Sequence, residues 1–359
     1  MRPPAPDRHP PLLDEERYSR QILFPGIGRE GQALLADAQV AIVGVGATGA
    51  AAASLLARAG VGQLTLIDRD FVEPSNLQRQ ILFDEADALL ELPKTEAARA
   101  KIRLFNSTVE VKAVVADLVP ENIHSLLAGA DLLLDCTDNF ETRYLLNDFA
   151  VQQGVPWIYA GAVGAYAATM NILPSTMLPP TEPTACLACL FPTPPSGLGD
   201  TCDTSGILAT AVNLAASLQV TEALKLLTKQ HARLRRTLLG FDLWSGERSE
   251  ISNSRPDPSC MVCAGHRFRY LEGAARPQIT LCGRNSVQIH EHRNAIDLNL
   301  LEQRLASHPD VEELRANALL LRFKRGAYRV TVFSDGRALI QGTTDPAVAR
   351  SLYARFLGA

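Results

Sequence analysis

The chain has 359 residues, 47% of them hydrophobic, which provides enough apolar surface for a sizeable core and leaves room for two domains. Its formal net charge is −4 and no basic stripe is interleaved with aromatic residues, so the composition argues against a nucleic-acid-binding protein. Seven cysteines without an apolar N-terminal signal segment predict a cytoplasmic protein that uses its thiols for metal binding or chemistry rather than for disulfides.

The first half of the chain is predicted to alternate between strands and helices. A proline-rich, flexible tail at residues 1–13 precedes a helix over 14–36. Strands are predicted at 39–46, 63–73, 109–116 and 130–139, with helices after the first strand and over 94–106. The first strand is an uninterrupted apolar run, typical of a strand buried in a parallel sheet. We therefore expect an α/β fold with a Rossmann-like, doubly wound, mainly parallel sheet that binds ligands at the carboxyl ends of its strands.

The second half is less regular and contains a domain boundary. An added strand near 165–174 and a long apolar helix at 207–227 complete a first domain over 14–272, with an exposed, mobile, Pro- and Gly-rich crossover loop at 190–206. After this domain, strands are predicted at 279–282, 286–290, 318–324, 328–334 and 337–341, and helices at 297–306 and 346–357. These elements predict a small C-terminal α+β domain over 279–359.

A glycine motif stands between the first strand and its helix. Gly44, Gly46 and Gly49 have the G-x-G-x-x-G spacing that lets the backbone approach a phosphate at the positive end of a helix. Asp68, at the end of the second strand, is placed to accept hydrogen bonds from a ribose. Two interpretations remain open at this point: the dinucleotide site of an NAD(P)-dependent oxidoreductase, and a turn that serves only helix–strand packing.

Polar and charged residues gather where the next strands end. They are Asn76, Arg79, Gln80 and Lys94 after the second strand, and Asp135 and Asp138 after a later one. Two cations at this edge suit a triphosphate, whose charge they would neutralise as a phosphoryl bond breaks, whereas nicotinamide needs no such clamp. A carboxylate here suits Mg²⁺, and we prefer Asp138 because it lies just past the strand. Asp135 has the alternative role of a structural strand-end residue.

The ordered segments RYSRQI, GVGATG, DRDFVEPSNLQRQ, LPK and DCTDN resemble those of the ThiF/MoeB/HesA family, the bacterial relatives of ubiquitin-activating enzymes. The resemblance covers residues 14–271. It implies an adenylyltransferase that uses MgATP to activate the C-terminal glycine carboxylate of a ubiquitin-like sulfur-carrier protein, with release of pyrophosphate. It also implies these roles: Gly46 at the phosphate turn, Asp68 on the ribose, Asn76, Arg79 and Lys94 on the phosphates, Asp138 on Mg²⁺, and Arg20 donated into the ATP site of the neighbouring subunit of a homodimer.

The sequence departs from the family pattern before Lys94. Family members usually have a glycine shortly before the Pro-Lys pair, whereas this chain reads EADALLELPK, with Glu91 and Leu92 there and two additional residues. The two additional residues displace Lys94 from the family spacing, whereas Arg79 stands within a matching segment.

Four cysteines form two C-x-x-C knuckles. They are Cys186 with Cys189, and Cys260 with Cys263. This spacing lets each pair grip one side of a tetrahedral Zn²⁺, and four protein ligands predict a structural metal because no position stays open for substrate. The family resemblance implies the same zinc. The alternative is four unrelated buried thiols.

The remaining cysteines have separate roles. Cys202 lies alone in the crossover loop, just ahead of the helix at 207–227, where a thiol can have a lowered pKa. In the family, the cysteine of this loop attacks the carrier adenylate in some members and is dispensable in others. Both roles stay open, because Asp200 and Asp203 oppose thiolate formation. Cys136 and Cys282 are predicted to be core thiols.

Taken together, the sequence predicts a zinc-containing, homodimeric adenylyltransferase for a sulfur carrier of the ThiS or MoaD type, in thiamine or molybdopterin biosynthesis. The C-terminal domain and the loop cysteine favour the thiamine type. A sulfur donor such as a cysteine desulfurase or a rhodanese is a further expected partner, and neither nucleic acid nor a membrane is. The alternatives are an NAD(P)-dependent oxidoreductase and a non-catalytic scaffold that binds a ubiquitin-like protein.

Overall fold

The computed structural model describes residues 11–177, 182–193, 205–273, 279–282, 286–289, 296–316, 320–333 and 336–357. The chain divides into two compact units, Met1–Ala274 and Ala275–Ala359. Within the described residues, no helix combines the length and the apolar character that a bilayer span requires.

One eight-stranded sheet forms the centre of the first unit. Its strands are β1 (Gln39–Val43), β2 (Gln63–Asp68), β3 (Glu110–Val115), β4 (Leu132–Asp135), β5 (Trp157–Val163), β6 (Tyr166–Ile172), β7 (Thr237–Asp242) and β8 (Arg248–Ser252). They lie in the order β3-β2-β1-β4-β5-β6-β7-β8. The first five strands pair in parallel and the last three add an antiparallel half. This confirms the predicted fold class.

Helices cover both faces of this sheet. They are α1 (Pro11–Ile22), α2 (Gly28–Asp37), α3 (Ala47–Ala59), α4 (Glu85–Leu89), α5 (Lys94–Phe105), α6 (Ile123–Leu126), α7 (Phe140–Gln153), α8 (Leu187–Leu190) and α9 (Ala209–Leu227). Successive residues of a strand point to opposite faces, and β1 therefore enters two cores. Val40 and Ile42 belong to the core that includes α3, α5 and α9. Ala41 and Val43 belong to the core that includes α6 and α7.

The N-terminal prediction of one helix over 14–36 is wrong in its continuity. The helix α1 ends at Ile22 and α2 begins at Gly28. Pro25 lacks a backbone donor and Gly28 has φ +63°, so the chain turns between the two helices. Of the predicted tail at 1–13, residues 1–10 lie outside the described residues, and α1 begins at Pro11.

The strands that lead to the predicted site are shorter than expected. We predicted strands to residues 46, 73 and 139, whereas β1 ends at Val43, β2 at Asp68 and β4 at Asp135. The residues in between form loops at the same edge of the sheet, because the three strands are parallel neighbours.

The second unit is a six-stranded antiparallel sheet with two helices. Its elements are β9 (Ile279–Cys282), β10 (Ser286–Ile289), α10 (Leu298–Ala306), β11 (Glu312–Ala316), β12 (Leu320–Arg325), β13 (Tyr328–Phe333), β14 (Ala338–Gln341) and α11 (Pro346–Leu357). The strand order is β11-β12-β13-β14-β10-β9. Leu301 and Phe356 of the helices share one core with Phe323, Val330 and Val332 of the sheet. Between β13 and β14, residues 334 and 335 lie outside the described residues.

Candidate nucleotide and metal sites

The glycine turn after β1 has two close-packed glycines and one open glycine. A Cβ on Gly44, whose φ is +85°, would lie 2.7 Å from the carbonyl oxygen of Cys136, and one on Gly49 would lie 1.9 Å from the carbonyl oxygen of Gly44. Gly46 caps the N-terminus of α3, and the nearest atom to a Cβ there is Gln80 Nε2, at 3.9 Å. Two glycines therefore serve packing, while the third leaves the positive end of α3 open to an anion.

Asp68 at the end of β2 holds this turn in place. One carboxylate oxygen accepts the backbone N–H of Val45 at 2.6 Å, and the other accepts that of Asp70 at 2.7 Å. Burial raises the pKa of Asp68, although the nearby Lys94 cation lowers it. Each carboxylate oxygen can accept more than one hydrogen bond, so these contacts are compatible with the predicted ribose contact.

Lys94 is the first residue of α5 and is only 7% exposed. Its ammonium lies 2.9 Å from Asp70 Oδ2, and its backbone N–H donates to the carbonyl of Asp70. Burial alone would lower the pKa of Lys94, but the carboxylates of Asp70, Asp68 and Asp138 raise it above its usual value. The side chain is therefore a fixed cation beside the loop that follows β2.

The segment between β2 and α4 presents the other predicted phosphate ligands. Asn76 is buried in a 3₁₀ turn, where its side-chain oxygen accepts the N–H of Glu73 at 3.1 Å. Arg79 is half-buried and donates to the carbonyl of Ser75 at 2.9 Å. Gln80 is buried beside Gly46, and its Oε1 has no hydrogen-bond partner within the part of the chain that the structure describes.

The loop after β4 distinguishes between the two candidate aspartates. Asp135 is fully buried; its Oδ1 accepts the N–H and the hydroxyl of Thr137, and its Oδ2 lies 3.2 Å from Arg143 Nε. Burial raises the pKa of Asp135. Asp138 is exposed, and its negative charge acts on both Lys94 and Arg143. Asp135 therefore has a structural role, and Asp138 is the carboxylate that a ligand can reach.

These contacts bring part of the predicted set together at one edge of the sheet. The turn at Gly46 is bonded to Asp68, and the charges of Asp68 and Asp138 act on Lys94. Gln80, which follows Asn76 and Arg79 in the chain, lies beside Gly46. We call this group of residues the rim.

Arg20 lies elsewhere in its own chain. Helix α1 is fixed to the far end of α3, where Gln21 donates to the carbonyl of Ala59 at 2.8 Å and Asn106 donates to the hydroxyl of Tyr18 at 2.8 Å. Gly46 caps the opposite end of α3, and a 13-residue helix is about 20 Å long. Arg20 is exposed in the last turn of α1 and is therefore remote from the rim of its own chain.

The two cysteine knuckles meet in space. The four sulfur atoms of Cys186, Cys189, Cys260 and Cys263 all lie within 4.8 Å of one another, and the closest pairs are 3.4 to 3.7 Å apart. A tetrahedral Zn²⁺ with bonds of about 2.3 Å places its sulfur ligands about 3.8 Å apart. The cluster therefore fits a Cys₄ zinc site.

Helix α7 forms hydrogen bonds with the segments that carry the two knuckles. Asn147 Oδ1 accepts the N–H of Leu187 in the first knuckle, and Asp148 Oδ2 accepts the N–H of Tyr270 after the second, each at 2.8 Å. Burial raises the pKa of Asp148 to about 7. The stacked rings of Tyr144 and Tyr270 join the same helix to the same segment.

Of the three remaining cysteines, the structure describes the side chain of Cys136. Cys136 is a buried core thiol as predicted; it contacts Gln219 Oε1 at 3.2 Å, and burial raises its pKa. Cys202 and the side chain of Cys282 lie outside the described residues, as does most of the predicted crossover loop.

Sequence reasoning assigned no role to Arg143 or Gln80. Arg143 lies shortly after the segment DCTDN, and Gln80 ends the segment DRDFVEPSNLQRQ. Their spacing from the predicted ligands was visible, but the burial of both side chains at the rim depends on the tertiary fold.

Comparison with known proteins shows that the chain is similar to adenylyltransferases. The sequence profile of the ThiF family matches residues 18–262. The chain is 43% identical over 346 residues to the sulfur carrier protein ThiS adenylyltransferase of Bacillus subtilis, covering 95% of this chain and 99% of that one. It is 38% identical to the protein of the same description from Escherichia coli, covering 70% and 96%. The crystal structure of E. coli MccB with ATP is similar at a TM-score of 0.59 and 25% identity, covering 71% and 76%.

Proposed function

Because this chain belongs to the ThiF family, we propose that it is an ATP-dependent adenylyltransferase that activates the C-terminal glycine carboxylate of a ubiquitin-like sulfur carrier. The observation that supports this most strongly is the similarity to a ThiS adenylyltransferase along nearly the whole chain, second unit included. Among carriers, the ThiS type of thiamine biosynthesis is therefore favoured over the MoaD type of molybdopterin biosynthesis.

The proposed reaction joins the carrier to the nucleotide. A carboxylate oxygen of the carrier attacks the α-phosphorus of ATP, the bond to the β-phosphate oxygen breaks, and pyrophosphate leaves with the electron pair. Lys94 and Arg79 neutralise the charge that develops on the phosphates, and the open turn at Gly46 presents the helix N-terminus to them. Mg²⁺, held by Asp138, would neutralise the leaving pyrophosphate. Asp68 and Asn76 orient the ribose and the phosphates.

We propose a homodimer in which Arg20 completes the site of the neighbouring subunit. In its own chain Arg20 is held at the far end of α3, so only a second copy can bring it to a rim. An apolar groove of about 540 Å³ between α3, α5 and α9 supports such an interface; its lining includes Ile81 and Leu104, which are 60% and 83% exposed. Ile81 directly follows Gln80, so the groove begins next to the rim.

Two further roles belong to the cysteines. The Cys₄ cluster would hold a structural Zn²⁺, because four thiolates leave no position for substrate. Cys202 is the candidate nucleophile that would attack the acyl-adenylate, releasing AMP and forming a thioester with the carrier before a cysteine desulfurase or a rhodanese supplies sulfur. A Cys202→Ser variant that still forms the adenylate but accumulates no covalent carrier complex would support this role.

Exchange of labelled pyrophosphate into ATP tests the adenylation step. Wild-type protein with MgATP and a ThiS-type carrier should catalyse exchange, and the same carrier without its terminal glycine should not. Lys94→Met should reduce exchange by about 100-fold, because it removes a cation from the developing charge. Lys112→Met is the matched control, since Lys112 is exposed on the edge strand β3. Absence of exchange with carriers of both types would refute the proposal, and binding of NADH instead would favour an oxidoreductase.

A further inference from the structure

Arg143 on α7 has a buried guanidinium close to the rim residue Asp138. The residue is only 7% exposed. Its Nη2 donates to the carbonyl of Thr137 at 2.5 Å and lies 3.4 Å from the carbonyl of Ala160, while its Nε lies 3.2 Å from Asp135 Oδ2. The edge of the guanidinium therefore joins the loop after β4 to strand β5.

Aromatic rings flank the same guanidinium. The ring centre of Tyr159 lies 5.0 Å from the guanidinium carbon of Arg143, and that of Phe140 lies 5.2 Å away. Cations in such positions are attracted by the ring faces. Polar contacts and rings together leave this side chain little freedom to reorient.

These contacts fix the residues on both sides of Asp138. Arg143 holds the carbonyl of Thr137, and Asp135 holds the N–H and hydroxyl of the same residue at 2.9 and 2.7 Å. On the other side, Asn139 caps α7 by accepting the N–H of Thr142 at 2.8 Å. Asp138 itself is exposed between these two anchored neighbours.

We propose that Arg143 is a positioning residue that sets the backbone of Thr137 and thereby holds the Asp138 carboxylate in place for the nucleotide-bound divalent cation. This role rests on the proposed function, because it assigns Mg²⁺ to Asp138. Arg143 contacts neither nucleotide nor metal in this role; it acts through the loop. Removing a partner that orients a metal ligand typically weakens metal binding by about 10- to 100-fold.

A lysine at this position cannot replace the arginine. The guanidinium reaches two backbone carbonyls and one carboxylate and lies near two aromatic rings, whereas an ammonium is a compact point charge on a flexible stem. Arg143→Lys should therefore behave like Arg143→Gln. A requirement for positive charge alone predicts the opposite, namely that Arg143→Lys behaves like the wild type.

Calorimetric titration with α,β-methylene-ATP tests the proposal. This analogue binds like ATP but cannot transfer its adenylate to a carrier. The Kd is measured once with excess Mg²⁺ and once with excess EDTA, for the wild type, Arg143→Gln, Arg143→Lys and Arg235→Gln. Both Arg143 variants should lose affinity about tenfold or more in Mg²⁺ and keep their affinity in EDTA. Arg235 is the control because it is a half-buried arginine whose Nη1 lies 3.9 Å from Glu222 Oε1, in the hydrogen-bonded network that joins α9 to β6.

Several results would overturn the role. They are an unchanged Kd in Mg²⁺ for Arg143→Gln, a wild-type Kd for Arg143→Lys, an equal loss in EDTA, or an equal loss in Arg235→Gln. Pyrophosphate exchange gives a second readout: raised Mg²⁺ should recover exchange in Arg143→Gln but not in Asp138→Asn. If the wild type binds the analogue with Mg²⁺ but shows no exchange with any carrier, the proposed function fails while the role of Arg143 is still decided by the titration.

Discussion

Glu91 occupies a backbone position that favours glycine. Its φ is +48°, and it directly follows the C-cap of α4. The N–H of Leu92 donates to the carbonyl of Asp87, and the N–H of Glu91 to that of Ala88. These two bonds form a Schellman motif, which usually has glycine at the left-handed position. The family usually has a glycine shortly before the Pro-Lys pair. This chain has Glu91 there, although its backbone still adopts the left-handed conformation.

Replacing this residue by glycine should stabilise the protein. Glu91→Gly removes the contact between Cβ and the backbone, and we expect the free energy of unfolding to rise by about 0.5 to 1 kcal/mol after the added flexibility of the unfolded chain is subtracted. Urea unfolding followed by circular dichroism measures the change. Glu91→Ala is the control, because it removes the side-chain interactions and keeps the strained φ. A glycine variant no more stable than the alanine variant would contradict the explanation.

The rim shows which site residues a sequence can reveal. The positions of Asp68 and Asp138 at this edge were predictable because Asp68 ends one strand, Asp138 lies in the loop after another, and parallel strands end at one edge of their sheet. Lys94 follows a segment of altered spacing, yet its backbone N–H donates to the carbonyl of Asp70, and this bond places Lys94 at the same edge. The role of Arg143 was not predictable, because its partners Thr137, Asp135 and Ala160 come together only when β4, β5 and α7 have packed.

Helices and strands with a regular hydrophobic pattern were predicted. Two elements whose residues are nearly all buried or all exposed were missed. Helix α7 was missed because residues 142–151 are all buried, which removes the apolar stripe of an amphipathic helix. Strand β8 was missed for the opposite reason: it is exposed along its whole length and shows no alternation. The long helix at 207–227 was found almost to the residue, since α9 is a 19-residue segment rich in Ala and Leu.

The buried side chain of Gln219 joins helix α9 to strands β4 and β5. Gln219 Nε2 donates to the carbonyl of Asp135 at 2.9 Å and to that of Ile158 at 2.7 Å, and its Oε1 contacts the thiol of Cys136. Gln219 is fully buried, so no water replaces these bonds when they are removed.

Gln219→Leu should therefore destabilise the first unit by about 1 to 3 kcal/mol, because two buried carbonyls lose their donor. Denaturant unfolding monitored by far-ultraviolet circular dichroism measures the loss. Thr221→Val, at an exposed position on the same helix, should change stability by less than about 0.5 kcal/mol. Equal stability of the leucine variant and the wild type would show that the amide does not secure α9.

At the scale of the whole molecule, the fold places Arg20 far from the other residues that the sequence assigns to the ATP site of this family. The parallel strands bring Gly46, Asp68 and Asp138 to one edge, while α1 is fixed by Tyr18 and Gln21 to the other end of α3. No small rearrangement brings Arg20 to its own rim, since the length of α3 lies between them. An active site that includes Arg20 therefore requires two chains.

Mixing two inactive variants tests this arrangement. Arg20→Ala and Lys94→Met should each reduce pyrophosphate exchange by about 100-fold as homodimers. In a mixed dimer, the Arg20→Ala chain retains Lys94 and receives Arg20 from the other subunit, so one of the two sites is complete. Since half of the dimers in an equal mixture are mixed, exchange should recover to about one quarter of the wild-type value. The control mixes Arg20→Ala with a chain that carries both substitutions; no site then has both residues, and no recovery should follow. If the first mixture also fails to recover, although subunit exchange is verified by mass spectrometry, then Arg20 does not act across the interface.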